Sequence, residues 1–354
     1  MSAAAQARRT RPPRARRQVG IGVIGLGWLG HAHSRSMQRI RTHFEDRTFD
    51  PVLAHCADTV PARLDEALGS FGFASASADW RAVIDDPAVE VVVITAPNML
   101  HLELIEAAAQ AGKHVFCEKP LARTLADAEA MVHAADEARV TLAVGHVVRF
   151  FPEYRQAKEL LDAGTLGKPA IVTMTRGNFA VGSARGWYLD EDKSGGVVLD
   201  LMLHDLDTVR WWFGEPSRIY AKRFKGNGGL EYALATIRYD DRPIVQIEAS
   251  WAEHSGFRTG FELRGDRGML VHDSRAASPI ALQSPSGPAG PAMMATPTLH
   301  ETPYLVQLRD LFARIARGEP PLVDGHEGLR SLALGLAVIR SADTGEVVSW
   351  KAPA

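Results

Sequence analysis

Val19-Gly-Ile-Gly-Val-Ile-Gly25-Leu-Gly27-Trp-Leu-Gly30 is the stretch that decides the fold. Its first half, Val19–Ile24, is short and rich in β-branched side chains, which predicts a buried parallel strand. Glycines 25, 27 and 30 follow at G-x-G-x-x-G spacing, and a helical stretch runs from about His31 to Arg41. In a strand–loop–helix unit the three glycines have separate tasks. Gly25 allows a tight turn, Gly27 lets a pyrophosphate approach the backbone, and Gly30 lets helix pack on strand. The helix N-terminus adds free amides and partial positive charge for the phosphates, with Trp28 and Leu29 in the loop. A plain glycine-rich turn is the bland alternative, and the flanking strand and helix weigh against it.

Working outward, Pro51–Ala57 predicts a second strand ending at Asp58. A carboxylate there accepts the adenosine ribose hydroxyls and repels a 2′-phosphate, so the sequence favours NAD. Arg63, one helical turn on, keeps NADP as the alternative, and a solvated loop acid is the bland reading. A helix over Pro61–Phe71, a fully buried strand over Val89–Thr95 and a helix over His101–Ala111 come next. A strand at His114–Glu118, a helix over Thr124–Ala138 and a strand at Thr141–Gly145 complete an alternation typical of a doubly wound parallel α/β sheet.

After about residue 146 the rhythm changes. Ala170–Arg176, Ile219–Arg223, Leu230–Asp240, Pro243–Trp251, Gly260–Arg264 and Gly268–Asp273 read as strands of a large, mostly antiparallel open sheet. Ser274–Pro297 has the Pro, Ser, Gly and Ala content of an exposed loop. Helices over about Tyr304–Arg317 and His326–Thr344 and a short strand at Val347–Trp350 close the chain. The expected domains are a disordered basic tail (1–18), a Rossmann domain (19–145) and an α+β domain for substrate binding and oligomerisation (146–354).

The bulk properties fit this plan. The 354 residues suit about two domains, and 46% hydrophobic with 23% charged residues is ordinary globular composition. A formal net charge of −2 and a pI near 6.7 give no reason to expect nucleic acid or a membrane surface as partner. No run reaches the roughly 18 apolar residues of a membrane span. Cys56 and Cys117, both in apolar strand-like segments, read as buried free thiols of a reducing cytoplasm. The arginine pair in Arg8-Arg9-Thr-Arg-Pro-Pro-Arg-Ala-Arg-Arg17 raises an export signal, but the following apolar run reads as a strand entering a glycine loop.

Chemistry concentrates in two places. Glu118-Lys119-Pro120 directly follows an apolar strand, and the proline ends the ladder, presenting Lys119 at the sheet's C-terminal edge. Ser194-Gly-Gly-Val-Val-Leu-Asp200-Leu-Met-Leu-His204-Asp-Leu-Asp207 sets Asp200 and His204 one helical turn apart within apolar surroundings. Such groups are costly to bury unless paired or used. A satisfied core histidine and a metal pair are the alternatives, and no third ligand motif accompanies them.

Together these pieces resemble the Gfo/Idh/MocA oxidoreductases, the glucose–fructose oxidoreductase and inositol dehydrogenase group. The resemblance rests on Gly25–Gly30, Thr95-Ala-Pro-Asn-Met-Leu-His101, Glu118-Lys119-Pro120 and Gly195-Gly196…Asp200…His204…Asp207. Tyr304…Gly318-Glu-Pro-Pro-Leu-Val-Asp-Gly-His-Glu-Gly-Leu-Arg330 also looks like that family's C-terminal pattern. The resemblance implies Lys119, Asp200 and His204 as the catalytic set, with His204 taking a hydroxyl proton, Lys119 polarising the reacting oxygen, and Asp200 orienting His204 or a neighbouring hydroxyl. Ala96, Asn98, His101 and Glu118 join the glycine loop, Asp58 and Lys119 as expected cofactor contacts, with capping or packing as the bland reading of Asn98 and His101. Arg149, Arg176, Asn178 and Tyr188 are expected to line the substrate cleft. His31 and His33 read as structural, and Trp187, Trp211 and Trp212 as core or interface aromatics.

The expected activity is NAD(P)-dependent hydride transfer at a secondary hydroxyl of an inositol-like polyol or a sugar, in a homodimer or homotetramer. An NADPH-dependent ketosugar reductase and a non-catalytic nucleotide-binding regulator are the rivals; intact Lys119, Asp200 and His204 argue against the regulator.

Overall fold

The computed structural model describes residues 17–44, 49–178, 190–226, 230–241, 243–254, 256–276, 280–284, 287–288 and 301–353. The first half contains β1 (Arg17–Ile24), α1 (Trp28–His43), β2 (Phe49–Ala57), α2 (Pro61–Glu66), β3 (Ser75–Ser77), α3 (Arg81–Asp85) and β4 (Val91–Ile94). It continues with α4 (His101–Gln110), β5 (His114–Cys117), α5 (Leu125–Ala138), β6 (Leu142–Val144) and α6 (Pro152–Asp162). The second half contains β7 (Pro169–Gly177), α7 (Glu191–Ser194), α8 (Leu203–Phe213), β8 (Arg218–Lys225), β9 (Glu231–Arg238), β10 (Ile244–Ser250), β11 (Arg258–Gly265) and β12 (Met269–Asp273). Then come β13 (Ile280–Ser284), β14 (Gly287–Pro288), α9 (Pro303–Arg317), α10 (Gly325–Thr344) and β15 (Val348–Ser349).

The first sheet has the order β3-β2-β1-β4-β5-β6 and is parallel throughout. Val91–Ile94 is buried at every position, as a central strand covered on both faces must be. Strand order reverses between β1 and β4, where Ile24 pairs with Ile94. The crevice beyond their carboxyl ends is where ligands of such sheets bind.

The second sheet has the order β14-β13-β12-β11-β7-β10-β9-β8-β15, antiparallel except for β10 beside β7. One face is covered and the other open: along β9, Glu231, Ala233, Ala235 and Ile237 are buried while Tyr232 and Leu234 are exposed. Helix α8 and the turn before it pack on the covered face.

Several details differ from the sequence reading. α1 starts at Trp28, so its first turn is the glycine loop itself. The helix expected over Pro61–Phe71 becomes a π turn at Ala67–Phe71. The stretch expected to be a loop after Ser274 contains β13, which pairs with β12 through Ile280–His272; residues 289–300 lie outside the described set. The second domain also returns a helix to the first: Leu305, Leu308, Leu311, Phe312 and Ile315 of α9 share a core with Val19, Ile21, Val23, Phe49 and Leu53. No helix among the described residues is long and apolar enough to cross a membrane.

Candidate active site

The nucleotide loop is shaped by sterics at each glycine. Gly25 has φ +93°, and a Cβ there would stand 2.6 Å from the Ala96 amide nitrogen. A Cβ on Gly30 would overlap the Gly25 carbonyl oxygen, whereas one on Gly27 would meet nothing within 4 Å. The open space is at the glycine expected to face the pyrophosphate. The Thr95 hydroxyl donates to the Gly25 carbonyl, locking the loop to β4. Gly27 caps α1 without a side-chain bond, and no acid occupies the first turn. This 16-residue helix therefore offers free amides and partial positive charge to an anion. Trp28 stands exposed, edge-on to Tyr304 at 6.1 Å, with Leu29 half-buried.

Asp58 ends β2, where its carboxylate accepts from the Leu26 amide at 2.6 Å and the Val60 amide at 2.8 Å. Arg63 reaches the same carboxylate at 3.2 Å. Asn98, in the turn after β4, is 6% exposed, yet neither its Nδ2 nor its Oδ1 has a hydrogen-bond partner. A buried carboxamide left so is costly and points to a ligand with both donor and acceptor groups. These features fit a dinucleotide along the loop.

Two other residues expected at the cofactor bond to protein groups. The Glu118 side chain turns under the loop to α1, with Oε1 2.7 Å from His33 Nε2 and Oε2 accepting the Lys119 amide at 3.2 Å. His33 thus ties the phosphate helix to the lysine loop, and His31 stands 3.5 Å from Glu66. His101 is 1% exposed, its ring nitrogens 3.0 Å from the Leu121 carbonyl and 3.1 Å from that of Ala96. It braces the loop after β4 against the loop after β5. Burial lowers its pKa.

Lys119 crosses from the first domain to the second. Its Nζ donates to the Asp200 backbone carbonyl at 2.6 Å and lies 3.3 Å from Oδ1. Asp200 belongs to a π turn, Val198–Met202, that leads into α8. The plain helix expected here is therefore widened by one residue, a deformation frequent at functional sites. Asp200 Oδ2 accepts from the Trp251 indole at 3.2 Å, so its bonds go to Lys119 and Trp251. That corrects the first of its two expected tasks, orienting His204.

His204 follows one turn on, and its buried Nδ1 has no hydrogen-bond partner. Its pKa is held well below the usual histidine value by burial and by the positive charges of Lys119 and Arg176. It is neutral at pH 7, as a proton acceptor must be. His146, which the sequence reading passed over, is 1% exposed beneath it, 3.8 Å from Asp207, with its pKa lowered by burial.

The two arginines expected in the substrate cleft are buried instead. Arg149, 3% exposed, makes a bidentate pair with Asp207 at 2.7 and 2.8 Å and reaches Glu327 at 2.7 Å. Arg176, 1% exposed, pairs with Asp205 at 2.7 and 2.8 Å and donates to the Tyr154 hydroxyl at 3.2 Å. Both anchor α8, through the two acids that follow His204. Asn178 extends β7 by backbone bonds to Ser250 and Glu253. Tyr188 and Trp187 lie outside the described residues. Trp212 stacks on Tyr154 in the core, and Trp211 packs beside Arg149. Among the described residues no cluster of three or more His, Cys, Asp or Glu side chains is placed to hold a metal.

Residues 19–146 match the family described as "Oxidoreductase family, NAD-binding Rossmann fold", and residues 154–271 match its C-terminal domain. Myo-inositol 2-dehydrogenase of Thermotoga maritima is 30% identical over 333 residues, covering 91% of this chain and 96% of that protein. The chain belongs to the Gfo/Idh/MocA oxidoreductase family. A second relative, 1,5-anhydro-D-fructose reductase of Ensifer adhaerens, is 32% identical over 75% of this chain and 80% of its own length. The solved structure of levoglucosan dehydrogenase with NADH and L-sorbose aligns with a TM-score of 0.84 at 26% identity, covering 95% of this chain and 100% of that one. The chain is thus an NAD-dependent dehydrogenase of a sugar and polyol family, acting on CH–OH groups.

Proposed function

We infer that this enzyme oxidises a secondary hydroxyl of a cyclic polyol or sugar, inositol-like in its ring of hydroxyls, and that Lys119, Asp200 and His204 carry the chemistry. One observation carries the reading: a lysine ammonium at the carboxyl edge of the first sheet is held by Asp200, one helical turn before His204, whose buried Nδ1 has no hydrogen-bond partner. Gly25, Gly27, Gly30, Asp58 and Asn98 hold the dinucleotide. When bound, the nicotinamide accepts the hydride from the carbinol carbon. His204 removes the hydroxyl proton, and the Lys119 ammonium stabilises the negative charge that grows on the oxygen. Asp200 keeps Lys119 from straying toward solvent.

Asp58 faces the ribose with two backbone donors already on it, which favours NAD over NADP. The test is a screen of myo-inositol, scyllo-inositol, levoglucosan and related sugars with NAD and NADP, following absorbance of the reduced nicotinamide. Lys119→Ala is expected to retain NADH binding and lose turnover; full turnover in that variant sinks the assignment.

The open sheet face implies a second copy as partner. Tyr220, Phe224, Leu234 and Ile244 are exposed on adjacent strands and form an apolar surface unusual for a monomer. Light scattering of Leu234→Lys, expected to halve the mass of the parent assembly, tests that reading. The buried free thiols Cys56 and Cys117 suit a reducing cytoplasm.

A further inference from the structure

The turn that carries Asp200 is gripped from the second sheet as well as by Lys119. Trp251 directly follows β10 and is 3% exposed, and its indole N–H takes one oxygen of Asp200 at 3.2 Å while Lys119 lies 3.3 Å from the other. Two donors from two domains therefore set the plane of one carboxylate. Beside it, Glu231 opens β9 and is 6% exposed, and its Oε2 accepts the Val197 amide at 3.0 Å, at the start of the same turn. The Trp251 amide donates to the Glu231 carbonyl at 2.8 Å, so both side chains issue from one hydrogen-bonded pair of strand ends.

The double glycine explains itself in this setting. Gly195 and Gly196 have φ of +82° and +65°, and a Cβ on Gly196 would stand 2.7 Å from the Glu231 carboxylate. Only glycine lets that carboxylate reach the Val197 amide. The arrangement is not free: Glu231 Oε1 is buried without a partner, and burial pushes the carboxyl pKa up. An unsatisfied buried oxygen in a folded core calls for an explanation.

We propose that Trp251 and Glu231 are positioning residues that fix the π turn so that Asp200 holds Lys119 at the reacting oxygen. The proposal rests on the reading of Lys119 and Asp200 given above. Trp251 acts on the carboxylate directly and Glu231 through the backbone of the turn. Misplacing a reacting group by about 1 Å is enough to cost on the order of a hundredfold in rate.

Trp251→Phe keeps the ring and deletes the N–H. With NAD and myo-inositol its kcat is expected to fall about tenfold to a hundredfold, the worth of one hydrogen bond to a charged group. NADH affinity and melting temperature should stay at parent values, a split that a merely structural residue does not produce. Glu231→Gln, which keeps an oxygen for the Val197 amide, should retain most turnover, whereas Glu231→Ala should lose it. A readout without substrate decides the matter even if myo-inositol is not oxidised. The indole resonance missing from the Trp251→Phe nitrogen–proton spectrum should move in Asp200→Asn. Parent kcat in Trp251→Phe, equal turnover in Glu231→Gln and Glu231→Ala, or an unmoved indole resonance overturns the proposal. If Lys119→Ala is inactive while Trp251→Phe is unimpaired, only this inference fails; an active Lys119→Ala removes the site reading beneath it.

Discussion

Gly27→Ala and Gly30→Ala, three residues apart in one loop, should fail in opposite ways. At Gly27 the backbone is extended, with φ −70° and ψ −164°, and an added Cβ meets nothing within 4 Å. Alanine caps a helix worse than glycine, but it also restricts the unfolded chain by about 0.4–1 kcal/mol, so folding stability should change by less than about 1 kcal/mol. The same methyl projects into the space where a pyrophosphate must approach the amides. Losing one charge-assisted bond there weakens NADH binding about tenfold to a hundredfold. At Gly30 the added Cβ is driven into the Gly25 carbonyl oxygen and stands 3.1 Å from Thr95 Oγ1. Neither is the free end of a flexible side chain, so the strand–helix junction must shift, at about 1–3 kcal/mol. At about 2–4 °C per kcal/mol for a domain of this size, the melting temperature drops by several degrees. Thermal unfolding by circular dichroism and NADH titration by fluorescence measure both. Parent-like NADH affinity in Gly27→Ala, or a melting drop equal to that of Gly30→Ala, refutes the division of labour.

Three further outcomes follow from buried charge. Because His204 is held neutral by burial, Lys119 and Arg176, the acid limb of kcat/KM should lie below about pH 6.5, and a limb at or above that value contradicts the role of base. His101 and His146 have folded pKa values lowered by burial, so the unfolded chain binds more protons below about pH 6.5. Stability contributed by each is complete above that pH and is lost as pH falls toward the folded value, by up to about 1.4 kcal/mol per pH unit, which denaturant melts from pH 7.5 to 5 will show. Arg149→Met strips the fully buried Asp207 of its bidentate cation, leaving it the Ser331 hydroxyl and the charge of Arg210, and should cost toward the low end of about 3–5 kcal/mol in urea unfolding, with Asp207→Asn in the same chain recovering part of it.

The layout of the first domain is legible because its signals are local. Val91–Ile94 needs only its own β-branched run, and the glycine spacing fixes its own turn. Thr124 announces its helix by capping it, accepting from the Asp127 amide at 3.1 Å. What the sequence hides is pairing across long separations. Glu118 meets His33 across 85 residues, and Arg149 meets Asp207 across 58. An arginine reads alike whether it lines a cleft or neutralises a buried acid, and only the topology decides. The π turn is hidden for another reason: one extra residue in a turn leaves the apolar pattern intact.

The segment that carries Asp200 and His204 shows how that ambiguity resolves. In sequence, Asp200, His204, Asp205 and Asp207 are four polar groups in an apolar run, ranked only by spacing and by the family resemblance. Folding brings a cation to each acid from a different element: Lys119 from the loop after β5, Arg176 from β7, and Arg149 from the turn after β6. The acids are thereby satisfied, and two of the three pairs serve to hold α8 in place. His204 is given no such partner, and the cations around it suppress its charge. A buried nitrogen with no protein hydrogen bond is a cost that a substrate hydroxyl can remove. Among the four polar groups of this segment, His204 is the one that keeps a buried nitrogen without a partner, as the proposed proton acceptor requires.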